Sequence, residues 1–114
     1  MVRSEGENRG AAASEVKQTV LGPAAQAELD GAVDWYEARV DGLGLKFMLL
    51  VDEALQEIQE SPAKFQRWEH DARFRKFVMQ RFPYIIFYRD LADRIDVIAI
   101  AHGARDPGYW LKRK

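Results

Sequence analysis

The chain has 114 residues, a formal net charge of −1 and no cysteine. A single domain of that length can hide roughly two-thirds of its unfolded surface, and the lack of thiols excludes disulfides, thiolate catalysis and cysteine-ligated zinc. With two histidines and no HExxH-type spacing, no metal site or cofactor is expected. No apolar run approaches the roughly 20 residues of a bilayer span, and the N-terminus lacks the apolar stretch of a secretory signal. A cytoplasmic protein without a membrane partner is therefore expected.

Residues 1–15 are rich in Gly, Ala, Ser, Glu and Arg, too poor in large apolar groups to offset their ordering entropy. They read as a flexible tail, leaving one domain over residues 16–114. Val16–Leu21 has the valines and threonine of a short strand, closed by Gly22-Pro23. From Ala24 the period changes. Ala25, Leu29, Val33, Tyr36 and Val40 recur at helical spacing, with Pro23 suited to the first turn. Asp41-Gly42-Leu43-Gly44 ends this helix, Gly42 being placed to take a left-handed conformation at its C-terminus. So short a link returns the next helix antiparallel, with Phe47, Val51, Ala54, Leu55 and Ile58 as its buried stripe and Ser61-Pro62 as its stop.

Phe65 and Trp68 fall in a short connector. Arg73–Phe82 then reads as a strand, and Arg81–Arg89 and Arg94–His102 as a hairpin around Leu91-Ala92-Asp93, rich in β-branched and aromatic residues. The order β-α-α-β-β-β predicts an α+β fold: an antiparallel sheet packed on one face by a two-helix hairpin. Charge is polarised along it. Gly22–Pro62 carries two basic against nine acidic residues, a net of −7, and Ala63–Lys114 twelve basic against six acidic, a net of +6.

Several motifs lie in a fixed order: Trp35-Tyr36-Glu37, Gly42-Leu43-Gly44, Ser61-Pro62 with Phe65, Arg81-Phe82-Pro83-Tyr84, Tyr88-Arg89, and His102-Gly103 with Arg105-Asp106-Pro107 and Trp110. Together, from about Val16 to Trp110, they resemble the RelE/ParE superfamily of toxins from type II toxin–antitoxin modules, in the version labelled plasmid stabilisation protein. The resemblance implies a bacterial toxin neutralised by a cognate antitoxin, as a homodimer or a toxin–antitoxin hetero-oligomer. Its target is either a protein such as DNA gyrase or, in RelE-type members, messenger RNA cut in the ribosome; the remaining alternative is a binding domain without toxicity. The near-neutral charge favours the protein target, since holding RNA by its phosphates calls for strong positive charge.

If the fold cleaves RNA, the substrate 2′-hydroxyl attacks, and the protein supplies proton carriers and cations. The catalytic candidates are then His102, Arg81 and Arg105. Arg73, Arg75, Lys76 and Tyr109 are the candidates for binding nucleic acid or target, the tyrosine by stacking. Alternation along the strand puts Arg73, Arg75 and Arg81 on one face and Lys76 on the other. The structural alternatives are a His102 that fixes the strand end by bonding a backbone carbonyl, core rings at Tyr84 and Tyr88, and packing roles for Trp35 and Tyr36. An acidic antitoxin segment would suit the basic sheet half.

Overall fold

The computed structural model describes residues 17–113; the expected tail lies outside them. Seven elements follow in order: β1 (Thr19–Leu21), α1 (Pro23–Arg39), α2 (Leu43–Glu60), β2 (Arg67–Trp68), β3 (Asp71–Val78), β4 (Tyr84–Asp90) and β5 (Ile95–His102). The strands form one sheet in the order β1-β5-β4-β3-β2. The expected meander is β3-β4-β5. Two features differ from the sequence reading. β1 pairs parallel to β5, with Thr19 opposite Ile95, so the sheet is mixed rather than wholly antiparallel. The connector holds a further strand, since Arg67 and Trp68 pair with β3 across an irregular register; two residues carry too little pattern to be read as a strand.

The predicted Arg73–Phe82 strand is shifted, and its end is lost. Beyond Val78 the chain leaves the ladder, so Arg81 and Phe82 belong to the turn before β4. Pro83 cannot donate to a ladder, and Phe82, at 8% exposure, is drawn into the core. Arg81 therefore does not share a strand face with Arg73 and Arg75.

The helix pair covers one sheet face. Phe47, Val51, Ala54 and Ile58 of α2 meet Ile86, Tyr88, Ile95, Val97 and Ile100, with Ala25 and Ala32 of α1 in the same core. The opposite face has its own cluster, in which Trp110 closes over Trp68, Phe74, Phe87, Ile98, Ala99 and Ala101. A bulge accounts for the neighbouring pair Ile98 and Ala99 sharing that cluster: Phe87 pairs with Ala99 and Tyr88 with Val97, leaving Ile98 as the extra residue. The Tyr88 hydroxyl donates to the Pro62 carbonyl at 2.6 Å, tying the end of α2 to the sheet.

The α1–α2 turn explains two of the motifs. Glu37 accepts hydrogen bonds from the Gly42 N–H at 2.8 Å and the Gly44 N–H at 3.0 Å, satisfying donors that open α2. These bonds, first that from Gly42, hold its carboxyl below the ordinary value. Gly42 has φ +87°, as anticipated, but as the residue capping the start of α2 rather than the end of α1. At Gly44 the helices touch, since an added Cβ would lie 2.4 Å from the Val33 carbonyl oxygen.

β1 is three residues long and leaves the outer edge of β5 uncovered beyond Val97. Side chains complete that edge. Glu28 of α1 accepts from the Ile100 N–H at 3.0 Å and from Arg113 at 2.8 and 3.1 Å. Arg113 also donates to the Ile98 carbonyl at 3.2 Å, and the Tyr109 hydroxyl donates to the second Glu28 oxygen. Burial alone would raise the Glu28 carboxyl, but the bonds from Arg113, Tyr109 and Ile100 together hold it below its ordinary value. Burial and the neighbouring carboxylate push the Tyr109 phenol up to about 12.

Two tests follow from this packing. Gly44→Ala is expected to lower stability in urea unfolding by about 1–3 kcal/mol through overpacking, whereas Gly31→Ala, where a Cβ meets nothing within 4 Å, is expected to raise it by about 0.5–1 kcal/mol through helix propensity. Glu28→Gln is expected to cost about 1.5–3 kcal/mol at neutral pH, as for other charged hydrogen bonds. Because the folded-state carboxyl is lowered, its contribution is present above the ordinary value of 4.5 and is lost as pH falls through the lowered one. The gap between wild type and Glu28→Gln should therefore close on acidification.

Candidate functional site

His102 is the last residue of β5, paired across the ladder with Tyr84, the first of β4. The chain then turns sharply: Gly103 N–H donates to the Pro83 carbonyl at 2.7 Å and Arg105 N–H to the His102 carbonyl at 3.0 Å. Inside this turn the Ala104 N–H donates to His102 Nδ1 at 3.0 Å. His102 thus ties the strand end to the backbone by accepting from an N–H rather than by bonding a carbonyl. An Nδ1 that accepts carries no proton, so the neutral ring holds its proton on Nε2. In that tautomer His102 presents a donor, with no free lone pair to act as a base.

Four predicted residues come together here, Lys76 among them. The Arg105 guanidinium lies 3.7 Å from the centre of the Tyr109 ring, and His102, Arg105 and Tyr109 line a common cleft of about 180 Å³ with His70, Lys76 and the buried Trp68 and Trp110. They also line a second cleft with Glu28, Gly31 and Tyr84. Tyr109 is thereby fixed from two sides, by its bond to Glu28 and by the stacked guanidinium.

Except for Arg105, the predicted cations are dispersed or already engaged. Arg81 lines a separate cleft with Leu50, Glu53, Glu57 and Phe77, so it does not join His102 and Arg105. Arg73 forms a two-pronged pair with Asp71, at 2.6 Å at its shortest. These bonds bring the Asp71 carboxyl down to about 2. Arg75 donates to the Phe65 carbonyl at 2.7 Å and is half-buried. Lys76, on the face opposite Arg75 as alternation requires, reaches the His102 cleft but is paired with Glu69 at 3.0 Å. Of the predicted cations, Arg105 alone combines a place beside His102 with no ion pair among the described residues.

Two residues around the clefts are not as the sequence alone suggests. An acid off the apolar stripe of α1, Glu28 reads as solvated; the signal for its burial is its spacing from Ala25 and Ala32, three and four positions away on the buried side. Trp35, read as a packing residue, is 52% exposed. Its ring carries the Arg39 guanidinium at 3.5 Å and meets the edge of Tyr36 at 5.1 Å. Tyr84 and Tyr88 pack against or within the helix-side core as expected.

Among the described residues no group of His, Asp and Glu is placed to hold a metal ion, and no helix is long and apolar enough to cross a membrane. No curated protein sequence matches the chain. Among solved structures, a similar one is described as the chromosomal ParDE TA system from P. aeruginosa. Its TM-score is 0.68 at 21% identity, over 78% of this chain and 98% of that one. This likeness establishes the fold. The family described as "ParE toxin of type II toxin-antitoxin system, parDE" matches residues 20–107, which include both helices, β2 to β5, all of β1 but Thr19, and the His102–Arg105 turn. The chain belongs to the ParE family of toxins from type II toxin–antitoxin systems.

Proposed function

We propose that this toxin is silenced by a cognate ParD-type antitoxin and acts in the cytoplasm by contact with a protein target such as DNA gyrase, not by cleaving RNA. The observation that carries the reading is the unassembled catalytic set. His102 is held as a donor by the Ala104 N–H, and Arg81 lies in a different cleft from Arg105. Phosphoryl transfer from an RNA hydroxyl needs a base and cations aimed at one phosphate. A contact surface needs neither. Exposed or rim-lying Trp, Tyr and Arg side chains such as Trp35, Arg39, Arg105 and Tyr109 are the residue types that dominate protein interfaces.

The antitoxin contact is supported by the family and by the charge of the sheet half. In the free chain Arg73 and Lys76 have acidic partners, Asp71 and Glu69. An acidic antitoxin segment would displace these carboxylates rather than meet bare cations.

One observation favours a second reading, a ribosome-dependent mRNA endoribonuclease. His70, Lys76, His102 and Arg105 rim a single aromatic-floored cleft, a combination able to accept a phosphate beside a stacked base.

The two separate cleanly. Purified chain added to a gyrase supercoiling reaction is expected to inhibit it, with relief by the antitoxin, while the message in a cell-free translation reaction stays full-length. Unaffected gyrase with new, ribosome-dependent 5′ ends would overturn the proposal in favour of the nuclease, and no effect in either assay would mark a binding domain without toxicity.

A further inference from the structure

Trp35 is a family-motif residue that the fold does not consume. Trp68 and Trp110 are buried at 5% and 1% exposure, yet Trp35 stands half in solvent on α1. It forms one wall of a cleft of about 370 Å³ whose other walls are Tyr36, Tyr84 and His102 and whose floor is Gly31 and Ala32. The small floor residues open the space; a Cβ on Gly31 would touch nothing within 4 Å. The volume lies within the roughly 300–1,000 Å³ range of built ligand clefts.

The polar groups of this cleft share one character. Of the chain's four tyrosines, Tyr88 donates to Pro62 and Tyr109 to Glu28. Tyr36 and Tyr84 are the two whose hydroxyls have no partner among the described residues, and both line this cleft. Both are phenols that stay protonated, and so can donate, at neutral pH; burial raises them further. His102, with Nδ1 occupied, adds a third donor on the same wall. Arg39 stacks on Trp35 at one end, and Arg105 lies beside Tyr84 and His102 in the adjoining cleft. Glu28, in the adjoining cleft, is taken up by Arg113, Tyr109 and Ile100. Aromatic walls, donors and two flanking guanidiniums call for a ring to stack and an acceptor of single negative charge.

We propose that this cleft is a docking slot for a peptide segment of a partner protein in which an aromatic side chain is followed by one acidic residue. The ring enters between Trp35 and His102, and the carboxylate meets the tyrosine hydroxyls and a flanking arginine. A nucleic-acid strand, with a charge at every nucleotide, fits less well because Asp30 and Asp34 are exposed on the same helix. The slot rests on the reading that this toxin works through protein contacts, and it names the chemistry of one of them.

The exposure of Trp35 alone among the tryptophans makes acrylamide quenching of intrinsic fluorescence a direct probe. Three capped tetrapeptides, Ser-Phe-Glu-Ser, Ser-Ala-Glu-Ser and Ser-Phe-Lys-Ser, and an oligouridine are titrated into the full chain at millimolar concentrations. The Phe-Glu peptide is expected to shield Trp35, and the other two peptides and the oligouridine to leave it quenchable. Tyr84→Phe, which keeps the ring and removes the hydroxyl, is expected to weaken binding about fivefold, as for one lost hydrogen bond. Equal behaviour of the three peptides, shielding by oligouridine instead, or unchanged affinity in Tyr84→Phe would overturn the proposal. Shielding by the Phe-Glu peptide in a chain that leaves gyrase untouched would keep the slot and remove only the target.

Discussion

The Glu28 carboxylate is the point on which the upper half of the molecule depends. A three-residue β1 cannot cover an eight-residue β5, and a buried strand edge with unpaired N–H and C=O groups is costly. Glu28 takes the Ile100 N–H, and Arg113, held by the same carboxylate, takes the Ile98 carbonyl. One side chain thus joins α1, β5 and the C-terminal turn. That turn carries Trp110 onto the open face of the sheet, where it meets Trp68, Phe74 and Phe87 at ring-centre distances of 4.6–5.0 Å. It also carries Tyr109 beneath the Arg105 guanidinium. The corner around His102 is therefore tied to α1 by the Glu28–Arg113 ion pair.

On the proposed reading that corner offers shape and donors to a protein partner. Cations that would have to converge on a phosphate are spread over two clefts or bound to their own carboxylates and carbonyls: Arg81 beside α2, Arg73 with Asp71, Lys76 with Glu69, Arg75 with the Phe65 carbonyl. Aromatic rings and guanidiniums at the rim, by contrast, lose little conformational freedom on contact and suit recognition of another protein.

Much of this was legible in the residues. The amphipathic stripe Phe47, Val51, Ala54 and Ile58 is buried to 3% exposure or less, and Gly42 has the positive φ its setting implied. The family motifs also acquire physical reasons: Glu37 satisfies the first donors of α2, and Gly44 lets the helices touch. The misses have different causes. Glu28 is an exposed-looking acid until a partner 85 positions away closes on it. Arg81 reads as a strand residue until Pro83 breaks the ladder. Val40, on the predicted stripe, falls just past the end of α1 and is 57% exposed. Trp35 reads as core because large apolar residues usually are, yet only Arg39 and the edge of Tyr36 lie against its ring and 52% of it stays exposed.

The central claim, that His102 serves as a fixed donor at a contact surface rather than as a base, rests on one hydrogen bond and one tautomer. Long-range ¹⁵N–¹H correlation NMR on the histidine-labelled chain near neutral pH measures that tautomer directly. The expected spectrum shows His102 protonated on Nε2 with an unprotonated, hydrogen-bonded Nδ1. A His102 protonated on Nδ1, leaving Nε2 free to accept a proton, would contradict the assignment and restore the catalytic reading.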